Sequence, residues 1–117
     1  MKGRFVIIAT AALLFASAAQ AGDYAPLDCT KAASTAEKAV CGSYALGQAE
    51  ARMATLYGVS MSLVAMGQRG NIGEAQQAWI KTREACGADT ACLDKVYGER
   101  IGVLDEVIRN IASHGPF

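Results

Sequence analysis

The chain has 117 residues with balanced charge, 11 basic against 11 acidic, and 52% of its residues are hydrophobic. It carries four cysteines and a single histidine. Such a charge balance argues against nucleic acid as a partner and against polybasic attachment to anionic lipid. That histidine, His114, lies in the C-terminal tail, and without another no Ser–His or Cys–His nucleophile system can be assembled within the chain.

The first element is a leader. Met1-Lys2-Gly3-Arg4 is basic, Phe5 to Ala16 is almost wholly apolar, and Ser17-Ala18-Ala19-Gln20-Ala21 supplies small residues in an A-x-A pattern. This reads as a secretory signal peptide, residues 1–21, cleaved after Ala21. The apolar run falls short of the roughly 18 residues of a membrane span, which leaves an uncleaved anchor as the alternative. No Cys follows the cleavage site, so no lipid anchor is indicated. The remaining 96 residues, 22–117, form one small domain with 9 basic and 11 acidic residues, a net charge of −2. The expected location is periplasmic or secreted.

Past Gly22 the pattern is helical, without strand alternation. Ser34-Thr35-Ala36-Glu37 is a capping box opening a short helix that runs into Cys41 and stops at Gly42. Ser43 caps a helix from Tyr44 to about Met66, with Leu46, Ala49, Met53, Leu56, Tyr57, Leu63 and Val64 on one apolar stripe. Gly67-Gln68-Arg69-Gly70 is expected to break it, and Asn71 with Glu74 to cap a third helix. That helix turns Ile72, Ala75, Trp79, Ile80 and Cys86 inward. Gly87 ends it, Asp89 starts the last, and Leu93, Val96, Tyr97, Ile101, Leu104 and Ile108 form the final stripe. Gly58, Gly98 and Gly102 fall inside helices, where close helix–helix approach or simple tolerance explains them. The fold class is therefore all-α: a small antiparallel bundle of three main helices plus a short N-terminal one.

An even cysteine count behind a leader implies two disulfides, and four cysteines allow three connectivities. Cys86 and Cys92 flank the Gly87-Ala88-Asp89 turn, while Cys29 and Cys41 bracket the first helix. Local clips Cys29–Cys41 and Cys86–Cys92 are expected, each closing a short loop and contributing about 2–3 kcal/mol. A redox or metal site is the alternative, but neither pair has C-x-x-C or zinc-knuckle spacing.

The order of residues resembles a known family. Asp28-Cys29, Lys31-Ala32 and Thr35-Ala36-Glu37-Lys38-Ala39-Val40-Cys41 lead into Leu46, Glu50 and Tyr57. Gln76, Trp79, Arg83, Cys86 and Gly87 follow, and Cys92-Leu93, Tyr97, Arg100-Ile101 and Leu104 close the pattern. This ordered set resembles the LprI-like lysozyme-inhibitor domain of bacterial envelope proteins, from about Asp28 to Leu104. Ala49 stands where that family has a larger apolar residue and Glu50 where Asp is usual, and the namesake's lipid-bearing Cys is missing. The resemblance implies a protein partner, a lysozyme, bound so that its cleft is blocked; the scattered carboxylates and the lack of metal-ligand spacing lead separately to the expectation of a non-enzyme without cofactor or metal.

Candidate contact residues follow from chemistry. Trp79 and Arg83 are spaced i, i+4 and Tyr97 and Arg100 i, i+3, a composition typical of interface hot spots. The same residues fall on apolar stripes, so the competing reading places them in the core with their arginines paired to Glu50, Glu84 or Glu99. Gln68 and Arg69, in the expected glycine-rich turn, are the segment most able to adapt to a cleft. The other function class is a structural or adaptor module for a different envelope protein, using the Trp79/Arg83/Tyr97/Arg100 surface. His114, beside Gly115-Pro116, is poorly placed for catalysis, and the carboxylates Asp105-Glu106 read as a solvated face.

Overall fold

The computed structural model describes residues 26–114; the leader and its cleavage site lie outside them. A 310 turn, Cys29–Lys31, precedes four helices: α1 (Thr35–Cys41), α2 (Tyr44–Leu63), α3 (Met66–Ala85) and α4 (Thr90–Ser113). Three of the starts are local capping chemistry. Ser34 Oγ accepts the Glu37 N–H at 3.0 Å, and Ser43 Oγ accepts that of Leu46 at 3.3 Å. Asp89 Oδ1 accepts the Cys92 N–H at 3.1 Å. The Glu37 carboxylate reaches one residue further back than a capping box requires, to the Ala33 N–H at 2.8 Å.

The expected break at Gly67–Gly70 does not occur. α2 ends at Leu63, the chain turns at Val64-Ala65, and α3 runs straight through Gly67, Gly70, Asn71 and Gly73. Asn71 caps nothing, and Ala65 holds the N-cap position without a side-chain bond. Glycine weakens a helix by about 1 kcal/mol but does not terminate it, and tertiary context overrides propensity. That context here is Arg69, whose Nε–H crosses the corner to the Met61 carbonyl at 3.0 Å. The bond satisfies one of the carbonyls left over in the last turn of α2. The reversal between α3 and α4, in contrast, does need a glycine. Gly87 has φ +56°, the left-handed conformation that a helix stop requires.

Cross-helix contacts fix the directions. Met61 meets Arg69 and Met53 meets Gln76, so α2 and α3 are antiparallel. Trp79 meets Val96 and Gln76 meets Arg100, so α3 and α4 are antiparallel too. It follows that α2 and α4, the most extensive packing pair, run parallel, with Glu50 against Tyr97 and Arg52 against Asp105. α1 lies across the bundle and contributes Ala36 and Val40 to the core, with Leu46, Met53, Tyr57, Leu93, Val96 and Leu104 from the long helices.

Both local disulfides are present, Cys29–Cys41 with 5.7 Å and Cys86–Cys92 with 5.6 Å between Cα atoms. Two expected core positions are not core: Leu63 and Ala75 are exposed. Gly98 and Gly102 are also exposed, with open space where a Cβ would stand, so they serve no close helix approach. No helix among the described residues is long and apolar enough to cross a membrane.

Candidate functional site

The residues that looked most like an interface lie inside the bundle. Gln76, Trp79 and Arg83 share one face of α3 at i, i+3 and i+7, and Tyr97, Arg100 and Leu104 repeat that spacing on α4. Relative exposure is 8% for Trp79, 6% for Arg83, 1% for Tyr97 and 6% for Arg100. These four side chains therefore form no exposed contact patch, as the competing core reading expects, although Trp79 and Arg83 reach the wall of a groove. The physical reason is that each polar tip finds an internal partner. Once paired, the long apolar stems of the arginines are worth burying.

Glu50 on α2 is the centre of this brace. Its carboxylate accepts hydrogen bonds from the Leu27 N–H at 3.1 Å and from the Tyr97 O–H, and it faces Arg83 Nη1 at 3.8 Å. Arg83 donates from Nε and Nη2 to Glu84 Oε1 at 3.1 and 2.9 Å, and Glu37 stands 3.9 Å from Nη2. Its guanidinium also lies 5.6 Å from the Trp79 ring centroid. Trp79 donates Nε1–H to the Val96 carbonyl at 2.9 Å and meets Tyr97 edge-on, with centroids 5.0 Å apart. One carboxylate thus ties the segment before α1, α2, α3 and α4 together.

The electrostatics follow from that enclosure. Burial first, and then the Glu50 charge, push the Tyr97 phenol well above its ordinary value. Burial disfavours the Arg83 cation, yet its hydrogen bonds to Glu84 and the neighbouring Tyr97 and Glu50 outweigh it and raise its pKa. For Glu84, modest burial is outweighed by hydrogen bonds from Ser34 and Arg83, which lower its pKa. Arg100 differs: it donates to Gln76 Oε1 at 2.8 Å and to the Ile72 carbonyl at 3.3 Å, and burial lowers its pKa. Gln76 in turn donates to Met53 Sδ at 3.2 Å.

A groove of about 440 Å³ opens above this brace, between Leu27 and the α2–α3 seam, with Glu50, Gln76, Trp79 and Arg83 in its walls. Its buried polar groups, Glu50, Gln76 and Arg83, already have partners, while Asp28, Lys31 and Gln77 stand at its exposed rim. No group of His, Cys, Asp and Glu among the described residues could hold a metal ion. His114 sits exposed at the end of α4, its Nδ1 2.6 Å from the Asn110 carbonyl.

The exposed apolar side chains lie elsewhere. Val59, Leu63 and Met66, 39%, 54% and 80% exposed, gather at the α2–α3 corner beside Gln68 and Arg69. Gln68 and Arg69 are thus near a surface, but on the first turns of a rigid helix rather than in an adaptable loop. Sequence reading named Gln68 and Arg69 here but placed Leu63 in the core stripe and passed over Val59 and Met66 as exposed side chains. The available signal was charge: from Met53 to Gly73 the only charged residue is Arg69.

The chain matches the model of the family described as Lysozyme inhibitor LprI over residues 29–113. It belongs to that family. No curated protein and no solved structure matches the chain. The LprI match begins at the first disulfide cysteine and ends with α4, so it covers both clips and every partner in the Glu50 brace except Leu27.

Proposed function

We propose that this LprI-family protein is an exported inhibitor of lysozyme-type muramidases that blocks the enzyme's cleft and denies it the glycan strand. The carrying observation is the family match over residues 29–113. The architecture supports a binding role: a disulfide-clipped bundle with a braced interior loses little conformational entropy on association. With the leader removed, the net charge of −2 favours approach to a basic lysozyme by electrostatic steering, an effect that salt weakens. Burial of Trp79, Arg83, Tyr97 and Arg100 favours this reading over an adaptor role that would use those four side chains.

The test is lysis of a bacterial cell-wall suspension by lysozyme with the oxidised protein, residues 22–117, titrated in. Dose-dependent inhibition that weakens with salt and disappears on reduction of the disulfides is the expected result. Hydrolysis unaffected at high micromolar concentrations of folded, oxidised protein would refute the proposal.

A further inference from the structure

The α2–α3 corner combines three properties that occur together nowhere else on the described surface. It is apolar, with Val59, Leu63 and Met66 exposed within eight residues of chain, whereas the other large exposed apolar side chains, Tyr44 at the start of α2 and Val103 on α4, are distant from these and from each other in sequence. Between Arg52 and Glu74 it carries one charge, Arg69. That charge has no ion-pair partner among the described residues. Its Nε–H is anchored on the Met61 carbonyl at 3.0 Å, and Nη1 approaches only Met66 Sδ, at 4.0 Å. On the neighbouring side, across the groove that Gln68 shares with α4, Glu106 is engaged with Arg109 at 2.8 Å. A guanidinium held at its stem, free of ion-pair partners among the described residues at its tip and close to the exposed Met66 is the chemistry of an interface anchor.

We propose that this corner is the surface that enters the muramidase cleft, with the Arg69 guanidinium against the enzyme's paired catalytic acids and Leu63 and Met66 excluding water around them. The inference rests on the reading of the protein as a lysozyme inhibitor. Lysozyme-type glycosidases carry two carboxyl groups flanking the scissile bond, an acidic site within a generally basic protein. A corner with a single cation and no carboxylate from Met53 to Gly73 complements such a site, and the net negative body complements the enzyme's remaining surface. Two copies of this chain joined corner to corner would set Arg69 beside its symmetry mate, like charges in an apolar contact, which disfavours self-association there. The corner is also rigid, since both arms are helices and Arg69 bridges them, so little ordering cost accompanies insertion.

The experiment measures dissociation constants of the oxidised protein and its variants for two forms of a lysozyme. One form is native, and the other has its two catalytic carboxylates converted to the corresponding amides. Arg69→Ala should weaken binding to the native enzyme by about tenfold or more, the effect of losing one close charge pair. It should have little further effect on the amide form, for which wild type itself binds more weakly. Met66→Asp leaves the Arg69–Met61 bond in place and should weaken inhibition at least as much. Val103→Asp, on an exposed position of α4, should leave it unchanged. Wild-type inhibition retained by both Arg69→Ala and Met66→Asp would overturn the corner while leaving the inhibitor reading intact. Failure of the wild-type protein to bind any lysozyme would overturn both. Corner variants that abolish a dimer and spare inhibition would assign the corner to self-association and refute the proposal.

Discussion

Replacing Glu50 by Gln tests whether one buried carboxylate organises the bundle. The substitution keeps shape and removes charge. Glu50 is 6% exposed and serves the Leu27 N–H, the Tyr97 O–H and the Arg83 guanidinium. Breaking a buried ion pair by removing one partner costs about 3–5 kcal/mol, because the other charge remains buried. Arg83 keeps Glu84 at 2.9 Å, and the amide oxygen can still accept one of the two hydrogen bonds, which places the loss at the low end, about 3 kcal/mol. For a domain of this size that lowers Tm by about 12–24 °C. Arg83→Met should also destabilise, and combining it with Glu50→Gln should cost less than the sum by about 1–2 kcal/mol, since the second change no longer strands a charge. Thermal and denaturant unfolding of the four oxidised proteins provides the cycle. A Glu50→Gln change within about 0.5 kcal/mol of wild type, the range of ordinary surface substitutions, would refute the reasoning.

Tyr97 gives a pH prediction. Its folded-state pKa is raised, so its contribution is fully present below the unfolded phenol value of about 10 and is lost as pH rises through the folded value. Wild type should therefore lose stability more steeply between about pH 10 and 11 than Tyr97→Phe, compared by denaturant midpoints. Gly98→Ala and Gly102→Ala, at exposed positions with open space for a methyl group, should each stabilise by about 1 kcal/mol. Gly87→Ala, forced to φ +56°, should destabilise by about 1–2 kcal/mol in the same unfolding assay. Ser60 is fully buried and its hydroxyl has no hydrogen-bond partner among the described residues, so Ser60→Ala should raise stability by about 1 kcal/mol. A lower melting temperature for that variant would show that the hydroxyl is satisfied in solution.

Local chemistry was legible in the sequence. Ser34, Ser43 and Asp89 act within three residues of themselves, so their caps could be read without knowing the fold, and Gly87 marked its turn for the same reason. The two disulfides followed from those turns, because each closes across a single element or reversal. Legibility failed where the deciding partner is distant in the chain. Nothing near Gly67 announces that Arg69 will bond Met61 across the corner, and without that bond the glycines look like a break. Glu50 shows the same limit. The core reading offered Glu50 as one of three partners for the arginines, but its bonds to Leu27 and Tyr97, 23 and 47 residues away, could not be read from the helix alone. Burial of Gln76 and Arg100 is likewise settled by their bond to each other across α3 and α4.

This division bears on what the family pattern can carry. Gln76, Trp79, Arg83, Tyr97 and Arg100, the most distinctive residues of that pattern, point inward and pair with one another, and the four cysteines clip the chain. A chain that preserves them preserves the bundle, whatever it displays at its corners. Val59, Leu63, Met66 and Arg69 belong to no part of the brace centred on Glu50, and a partner could be gained or lost through them at small cost in stability. Stability and inhibition should therefore separate on mutation. Changes at Glu50 or Arg83 should act on inhibition only by unfolding the protein. Changes at Met66 should alter inhibition in a protein that melts as wild type does. The Arg69 substitution lies between, because its Nε–H also closes the α2–α3 corner, and the amide-substituted muramidase distinguishes its two roles. If Met66→Asp and Glu50→Gln lowered melting temperature and inhibition in the same proportion, the corner and the brace would be one unit and the division would fail.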